Sequence, residues 1–566
     1  MKISIEASYP NKVLNSNLIM MKHLPIYLLI FTLSCKTKLK TSDSEEKGLP
    51  NIVIIMSDDM GYSDISPFGG EIDTPNLSKM ANNGLRFGQF YNNARCCPTR
   101  ASLLTGVYPH RAGIGHMTNP PNDATMHNYG TKEYQGYLSK NTVTLAEVLK
   151  DAGYATLMSG KWHLGVQRKE MWPLQRGFEK FYGIIAGAAN HFQPKHPRGI
   201  IRGNNPEEVS EDYYSSDAFT SEAINFISES KNEHPEKPFF LYLSYTAPHW
   251  PIQAPKKVVD KYKERYREGW QTLRLERYER MKEMGIIDSD WPLTAQDSRD
   301  WDTHLGKEKQ KEMNLRMAIY AAMVDRMDQN IGRLMSELKN QGELENTLVL
   351  FLNDNGACAE FSELGDGPAS QLETEKGYAL TYGRAWANAS NTPYRKYKHW
   401  LHEGGIATPF IVQWPAGIDK SLEGAFIHST YGFLPDLMAT CLDLAKAEYP
   451  EVYNGYPIVP HVGKSLVPVF TDTTHRVHHE PIFWEHEGNK AVRLDTYKLV
   501  SDWDENGGDW ELYDMKKDRT ETHNIIEDYP EVANKMITQY EEWADKNNVL
   551  NWNEIVEIRR KKRMEK

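Results

Sequence analysis

Two pairs of oxygen-bearing side chains in the sequence could bind a metal ion. Asp58 and Asp59 follow one apolar run of the chain, and Asp354 and Asn355 follow another. Neither pair contains His or Cys, and carboxylate and amide oxygens are the ligands that Ca²⁺ and Mg²⁺ prefer. A helix N-cap beside a surface carboxylate would explain either pair alone. Together the pairs predict one site for a divalent cation, for which we favour Ca²⁺ over Mg²⁺.

Nitrogen-bearing side chains follow two further apolar runs. Lys161 and His163 follow one run, and His249 follows the other. Histidine transfers protons near neutral pH, and a lysine ammonium attracts anions. For any one of these residues a structural role is the more common explanation. Their shared placement after apolar runs makes them candidates for proton transfer and anion binding.

A cysteine motif is the most specific pattern in the chain. Cys96 and Cys97 are adjacent, Pro98 and Arg100 come next, and a Leu-Leu-Thr-Gly stretch ends the motif at Gly106. A redox pair or a buried thiol would explain the cysteines, but neither would explain the proline and the arginine.

Apolar runs that alternate with helical patterns predict the elements that hold these side chains. The runs are Asn51 to Met56, Tyr154 to Met158, Phe239 to Tyr245, Thr347 to Leu352 and Pro409 to Gln413. The helical patterns are Thr144 to Ala152, Ser216 to Ser230 and Met317 to Asn340. The alternation predicts an α/β fold whose large, mostly parallel sheet is sandwiched by helices. Because ligands bind at the carboxyl ends of such strands, we expect the polar groups to converge at one edge.

Two longer stretches predict features around this sheet. Tyr266 to Gly285 is rich in Arg, Glu and Lys, which is typical of a solvated helical insertion. Ala357 to Lys398 is long, glycine-rich and aromatic, which is typical of a lid or a binding loop.

Composition places the domain boundaries. Residues 1–34 are predicted to be a signal peptide, with Met21 as an alternative start, because the apolar run Leu24 to Leu33 is too short to span a bilayer. Ser34-Cys35 resembles a bacterial lipoprotein processing site, so we expect a lipid on Cys35 and a polar tether over residues 35–48. An ordinary cleavage site with an incidental Cys35 is the alternative. Residues 49–448 form the predicted catalytic domain.

A smaller C-terminal α+β domain is predicted over residues 449–566. The expected elements are three short antiparallel strands and one helix, at His479 to Trp484, Ala491 to Val500, Trp510 to Asp514 and Glu531 to Lys546.

Composition and charge exclude several classes of protein. The 566 residues are 40% hydrophobic and 25% charged, which excludes a disordered, collagen-like or coiled-coil chain. Lys+Arg number 66 and Asp+Glu number 77, so the net charge of −11 argues against a nucleic-acid partner. Only five cysteines argue against a disulfide scaffold.

The motifs, taken in order, resemble those of the formylglycine-dependent type I sulfatases over most of residues 50–525. The C-x-P-x-R signature of that family fits Cys96 alone, because only Cys96 has proline two residues on and arginine four residues on. Cys97 departs from the family, which has a small hydroxyl residue there. The other matches are Asn51 to Gly61, Gly160 to Gly165, Pro248-His249, Asp354-Asn355-Gly356, Lys398 before Glu403-Gly404-Gly405, and Leu512-Tyr513-Asp514. The resemblance implies the alkaline-phosphatase-like fold.

The resemblance also implies the nucleophile and the metal ligands. Cys96 would be oxidised to formylglycine, an aldehyde whose hydrate carries two geminal hydroxyls. One hydroxyl would attack sulfur, and the other would release sulfate as the aldehyde re-forms. A plain Ser or Cys lacks the second hydroxyl. The implied ligands of the cation are Asp58, Asp59, Asp354, Asn355 and the modified Cys96.

The remaining candidates receive their roles from the same resemblance. Arg100 would hold the nucleophile, and Lys161 and Lys398 would bind the sulfate oxygens. His163 would accept the proton that breaks the hemiacetal. His249 would protonate the leaving oxygen, alone or together with Lys398.

The expected function is that of an exported sulfatase acting on sulfated polysaccharides or their oligosaccharides. Its expected partners are the sulfated carbohydrate and a formylglycine-generating or sulfatase-maturating enzyme. We expect a bacterial periplasmic or cell-surface location, with the membrane contacted only through the lipid anchor. The alternatives are a phosphonate or phosphate ester hydrolase of the same fold and an inactive glycan-binding lipoprotein. A binder would not need Cys96 and Arg100, and no second metal cluster for phosphate chemistry is evident in the sequence.

Overall fold

The computed structural model of the chain describes residues 48–118, 129–504 and 507–564. The predicted signal peptide, Cys35 and nearly all of the predicted tether lie outside these residues. The strands are β1 (Asn51–Ser57), β2 (Leu85–Phe87), β3 (Phe90–Tyr91), β4 (Ala155–Lys161), β5 (Lys180–Ile184), β6 (Ile200–Arg202), β7 (Asn205–Glu207), β8 (Phe239–Ser244), β9 (Thr347–Asn353), β10 (Phe410–Gln413), β11 (Phe426–Ile427), β12 (Gly432–Phe433), β13 (Val452–Tyr453), β14 (Tyr456–Pro457), β15 (Ile482–His486), β16 (Asn489–Leu494), β17 (Tyr497–Ser501) and β18 (Trp510–Asp514). The α-helices are α1 (Pro75–Asn82), α2 (Cys96–Thr105), α3 (Pro109–Ala112), α4 (Leu145–Asp151), α5 (Ser215–Glu233), α6 (Lys256–Tyr262), α7 (Gly269–Glu283), α8 (Trp301–His304), α9 (Lys307–Asn340), α10 (Arg384–Ser390), α11 (Glu403–Ile406), α12 (Asp436–Ala445), α13 (Pro530–Lys546) and α14 (Trp552–Met564).

Ten strands form one mixed sheet, in the order β11-β2-β10-β9-β1-β8-β4-β5-β6-β7. The central strands β9, β1, β8, β4 and β5 are parallel to one another. The strand β10 that was predicted from Pro409 to Gln413 lies in the sheet but runs antiparallel to β9. The predicted α/β class, with a large, mostly parallel sheet sandwiched by helices, is confirmed, and the antiparallel pairs lie toward the two edges of the sheet.

Both faces of the central strands are buried, which explains why their sequences are continuous apolar runs. In β1, Val53 and Ile55 pack into the core that contains α5 and α9. Ile52 and Ile54 point to the other face, into the core that contains α2, α4 and α12. Successive side chains of a strand alternate between faces, so a strand buried on both faces has no polar alternation.

A small antiparallel sheet, β15-β16-β17-β18, lies near the C-terminus. The prediction of one strand over Ala491 to Val500 was wrong, because the chain turns between β16 and β17 at Asp495, whose φ is 54°. Asp tolerates this left-handed conformation better than most residues do. The sheet packs on α13 through a core of its own that includes Phe483, Leu499 and Trp543.

The charged insertion forms α7, but the prediction that it is simply solvated was wrong. Trp270 and Arg277 on this helix are fully buried. The guanidinium of Arg277 lies 2.7 Å from Asp64 Oδ1 and 2.7 Å from Glu71 Oε2. A buried arginine is tolerated when carboxylates pair with it. These carboxylates are distant in the sequence, so the residue pattern of α7 does not predict that Arg277 is buried.

Among the described residues, no helix has both the length and the apolar character needed to cross a bilayer.

Candidate active site

The carboxyl ends of the central strands bring the predicted site residues together. Asp58 follows β1, Asp354 follows β9, and Lys161 is the last residue of β4. Lys161 Nζ lies 2.7 Å from Asp58 Oδ2. Arg100, on α2, reaches Asp354 with an Nη2–Oδ2 distance of 2.6 Å. Groups that are far apart in the sequence thus meet at one edge of the sheet, as its topology requires.

A tight cluster of possible ligand atoms lies at this edge. One atom each from Asp58, Asp59, Cys96 and His249 lies within 4.8 Å of the others. Cys96 Sγ is 4.0 Å from Asp59 Oδ1. Burial raises the pKa of Asp58 above its usual range, and the nearby charge of Asp354 raises it further. Buried carboxylates this close together repel one another when they are ionised, so a nearby positive charge is needed to keep them ionised.

Asn355 supplies a direct test of whether a cation fits this cluster. Its Nδ2 donates to Asp59 Oδ1 at 2.7 Å, whereas its Oδ1 is buried without a hydrogen-bond partner. An unsatisfied buried acceptor is costly, and a bound cation would remove that cost. Three buried carboxylates and an amide oxygen form a hard donor set suited to Ca²⁺ or Mg²⁺. The predicted oxygen ligands therefore fit a divalent cation.

Cys96 is the first residue of α2 and is fully buried. Burial raises the pKa of its thiol well above the usual value, although Lys161 and Lys398 act in the opposite direction. A thiol held in this way is protonated at neutral pH and is a weak nucleophile. The unmodified side chain is therefore poorly suited to attack a substrate. Cys97 points elsewhere, since its Sγ accepts a hydrogen bond from the Thr118 N–H at 3.2 Å.

Arg100 is held by contacts from strands β4 and β8 and from Asp354, which follows β9. It lies one helical turn after Cys96, so its side chain shares a face of α2 with the thiol. Its Nε and Nη2 donate to Asp354 Oδ2 at 3.2 and 2.6 Å, and its Nη1 donates to the Lys161 carbonyl at 3.2 Å. Ser244 Oγ on β8 accepts from the same Nη1. The guanidinium therefore cannot move without breaking several buried contacts.

The two candidate lysines each pair with a carboxylate. Lys161 Nζ contacts both oxygens of Asp58, at 2.9 and 2.7 Å, and Lys398 Nζ lies 2.9 Å from Asp59 Oδ2. Burial alone would lower the pKa of both lysines, but the neighbouring carboxylates outweigh it and raise both pKa values. Both ammonium groups are therefore charged and lie beside the thiol position, where they can attract an anion.

The two candidate histidines are buried and neutral. Burial lowers the pKa of His249 to about 3, against the opposing effect of Asp59. His249 Nδ1 lies 2.6 Å from the Trp250 carbonyl, which can only accept, so Nδ1 carries the proton and Nε2 faces Asp59 Oδ2 at 3.4 Å. Burial and Lys161 lower the pKa of His163, whose Nδ1 has no hydrogen-bond partner. Each neutral ring therefore keeps one unprotonated nitrogen.

A cavity of about 440 Å³ opens onto the site, and several of its lining residues are not predicted from the sequence. Arg95 pairs with Glu360 at 2.6 Å, and Glu360 also accepts from the Trp250 indole at 2.9 Å. Glu360 belongs to the long segment that was predicted to be a lid or a binding loop. No motif in the sequence predicts that this glutamate pairs with Arg95 and lines the cavity. A larger cavity of about 660 Å³ lies between Trp291 and Arg519 and includes none of the predicted site residues.

Comparison with known proteins assigns the chain to a family. The sulfatase family model matches residues 50–447, and the model of the C-terminal part of N-sulphoglucosamine sulphohydrolase matches residues 394–546. The arylsulfatase of Klebsiella aerogenes is 38% identical over 437 residues, 74% of this chain and 91% of that protein. An uncharacterized sulfatase of Schizosaccharomyces pombe is 35% identical over 528 residues, 87% of this chain and 93% of that protein.

The fold is also found among solved structures. The crystal structure of Ps i-CgsB in complex with k-i-k-neocarrahexaose has a TM-score of 0.64 to this chain at 24% sequence identity, and the match covers 88% of this chain and 93% of that one. At this identity the likeness establishes the fold. The family model and the identity to the arylsulfatase establish the enzyme class. The chain belongs to the sulfatase family and is a sulfuric ester hydrolase.

Proposed function

We propose that the protein is an exported sulfatase that removes sulfate from sulfated polysaccharides or their oligosaccharides, with formylglycine at position 96 and one bound Ca²⁺. The observation that carries this proposal is the position of Cys96. Its thiol is buried beside Asp59. Lys161 and Lys398 lower the pKa of this thiol, but burial raises it by more, so the thiol is a poor nucleophile. Conversion to an aldehyde hydrate would supply the two hydroxyls that sulfate transfer and sulfate release need.

The oxygen ligands of the proposed cation are Asp58, Asp59, Asp354 and Asn355. A divalent cation bound there supplies Lewis-acid polarisation next to position 96. Arg100 holds Asp354 in place from the opposite side, at 2.6 Å. The lysine ammonium groups bind the sulfate oxygens and stabilise the charge that develops on them.

Proton transfer is assigned to the buried bases. His163, whose Nδ1 has no partner, accepts the proton that is lost when the second hydroxyl releases sulfate. His249 and Lys398 both contact Asp59 and line the cavity, which supports a role for them in protonating the leaving oxygen. Because the pKa of His249 is low and Lys398 is charged, Lys398 is the more available proton donor.

The walls of the cavity support a carbohydrate substrate. Trp250 packs against Phe361 and Tyr378, with ring centroids 5.3 Å apart in both pairs, and Phe361 is 59% exposed. Arg198 lies over the Tyr378 ring at 5.3 Å. Exposed aromatic faces stack on sugar rings, and a guanidinium near them suits a second anionic group. The bound neocarrahexaose of Ps i-CgsB is a saccharide in a protein of the same fold. A screen of sulfated oligosaccharides for sulfate release tests this substrate class.

Paired kinetics would separate a sulfatase from a phosphoryl hydrolase of the same fold. Phosphate monoesters carry nearly two charges and favour two-metal sites, whereas the hard oxygen donors described here form one cluster. We expect kcat/KM for a sulfate ester to exceed that for the matched phosphate ester by at least tenfold, or about 1.4 kcal/mol of transition-state preference. Aryl esters and sugar esters should both be measured on fully converted enzyme. Equal or reversed preference in both pairs would assign the protein to phosphoryl transfer.

Export and anchoring are tested by a single substitution outside the described residues. We expect Cys35→Ala to move the protein from the membrane fraction to the soluble fraction, because the lipid would be attached at this thiol. Ser42→Ala, in the same predicted tether, is the matched control and should leave the protein with the membrane. Unchanged fractionation of Cys35→Ala would leave only an ordinary signal peptide.

A further inference from the structure

A second cluster of metal-ligand side chains lies outside the site described above. His399, His486 and Glu487 each offer one ligand atom, and these three atoms lie within 4.8 Å of one another. His399 directly follows Lys398 in the chain, whereas His486 ends β15 and Glu487 follows it. The cluster therefore joins the loop that carries Lys398 to the small C-terminal sheet.

The imidazole of His486 is buried without a hydrogen bond. Its side chain is 1% exposed, and both Nδ1 and Nε2 lack a partner. Two other buried histidines pair with carboxylates, His110 with Glu485 at 2.7 Å and His478 with Asp436 at 2.8 Å. A neutral imidazole offers one donor and one acceptor, and leaving both unmatched in the interior is unfavourable. A cation bound to the nitrogen that faces the other two residues would supply a missing partner.

The other two members of the cluster are available as ligands. His399 Nδ1 and Glu487 Oε2 are 3.6 Å apart, which is longer than a hydrogen bond. The one hydrogen bond of the His399 ring, between its Nε2 and Asn489 Nδ2, is long at 3.4 Å. The side chain of His399 is 28% exposed and that of Glu487 is 16% exposed. An ion could therefore enter from solvent and keep a water as its fourth ligand.

The backbone at two of the three residues is in an uncommon conformation. The φ angle is 91° at His399 and 50° at Glu487. Non-glycine residues with positive φ are uncommon and persist where the surrounding structure determines the position of the side chain. At Glu487 the positive φ belongs to the two-residue turn Glu487-Gly488 that joins β15 to β16.

We propose that His399, His486 and Glu487 bind a divalent ion of the zinc class. Two imidazole nitrogens, one carboxylate oxygen and one open position form a donor set that suits Zn²⁺, in contrast to the all-oxygen set around Asp59. The ion fixes the loop that carries Lys398 against the small sheet, so these three residues are positioning residues for that lysine. The three ligands come from two segments that are distant in the sequence, so no local sequence motif predicts the site.

The test is a zinc titration of the full-length protein after treatment with a chelator, in the presence of excess Ca²⁺. We expect one zinc equivalent by calorimetry. Glu487→Gln and His399→Asn should each weaken zinc binding by at least about tenfold, because each removes or weakens a ligand. His428→Asn, at an exposed histidine elsewhere in the chain, is the matched control and should bind zinc as the wild type does. Asp354→Ala should also keep this zinc equivalent, because Asp354 belongs to the oxygen cluster.

A spectroscopic measurement gives an independent result. Co²⁺ in place of Zn²⁺ should show the strong visible absorption of a four-coordinate ion in the wild type, and this absorption should be lost in Glu487→Gln. Glu487 is partly exposed and Gln has the same shape, so this variant should fold, which circular dichroism would verify. Two results would overturn the proposal: an unchanged zinc affinity in both ligand variants, or no zinc equivalent above the Ca²⁺ background. Either result would mean that the three side chains do not form a metal site.

Discussion

Replacing Cys96 with alanine is expected to lower kcat by roughly 10⁴- to 10⁶-fold, the range found when a covalent nucleophile is removed from a hydrolase. The reason is that the surrounding charges bind the sulfate group but cannot attack it. Fully buried Cys96 is the nucleophile candidate at the start of α2, with its Sγ 4.0 Å from Asp59 Oδ1. Steady-state kinetics with a sulfate ester, on protein produced with a maturation system, would measure the loss. Peptide mass analysis should find formylglycine at position 96 in the wild type.

Serine at position 96 should give a different defect from alanine. A serine has one hydroxyl, so it can accept sulfate from the substrate but has no second hydroxyl with which to release it. We expect Cys96→Ser to release at most one equivalent of alcohol per enzyme and to retain a stable sulfate ester, which mass analysis of the intact protein would detect. Continuous turnover by this variant would contradict the need for the aldehyde hydrate.

The neighbouring cysteine provides the matched control. Cys97 Sγ contacts the Thr118 N–H at 3.2 Å and the His116 carbonyl at 3.8 Å, on the side of α2 away from Asp59. Cys97→Ser keeps a small side chain there and should keep both the conversion of Cys96 and turnover. Formylglycine at position 97, or an active protein with no converted cysteine, would contradict the assignment of the nucleophile.

The convergence of the site was predictable because the sheet topology follows from local sequence patterns. The apolar runs before Asp58, Lys161 and Asp354 are long and lack polar alternation, which identifies strands buried on both faces. Parallel strands end at the same edge, so their following residues meet without any knowledge of side-chain contacts. The family motifs then selected Cys96 and Lys398, which local pattern alone does not distinguish from structural residues.

What the sequence did not predict depends on contacts between distant segments. Glu360 joins Arg95 and the Trp250 indole, and each of these three residues belongs to a different part of the chain. The burial of Arg277 on α7 depends on Asp64 and Glu71, far earlier in the sequence. The spacing of apolar residues along the sequence predicts which face of a helix or strand is buried. It does not predict which distant carboxylate will pair with a buried arginine or lysine.

Replacing Asp354 with alanine should abolish activity together with cation binding at the oxygen cluster. Asp354 is fully buried, its Oδ2 accepts from Nε and Nη2 of Arg100, and its Oδ1 accepts from the Asp59 N–H at 3.2 Å. Without this carboxylate the oxygen cluster loses one negative ligand, and the nearest acid to Arg100 is Asp58 at 3.6 Å. Breaking a buried ion pair also lowers the free energy of unfolding by about 3–5 kcal/mol. Elemental analysis, kcat with a sulfate ester, and urea unfolding would measure the three effects.

A second buried ion pair separates the loss of the cation from the loss of stability. Glu147 on α4 pairs with Arg176 at 3.0 Å, and both side chains are nearly buried, but neither residue belongs to the site. We expect Glu147→Ala to lower the free energy of unfolding while kcat and the cation of the oxygen cluster are retained, because no ligand oxygen has changed. If Asp354→Ala behaved in the same way, Asp354 would be a structural partner of Arg100 alone. Full activity of Asp354→Ala without a bound cation would show that the cation is not needed for sulfate ester hydrolysis, because the remaining groups would then be sufficient for the reaction.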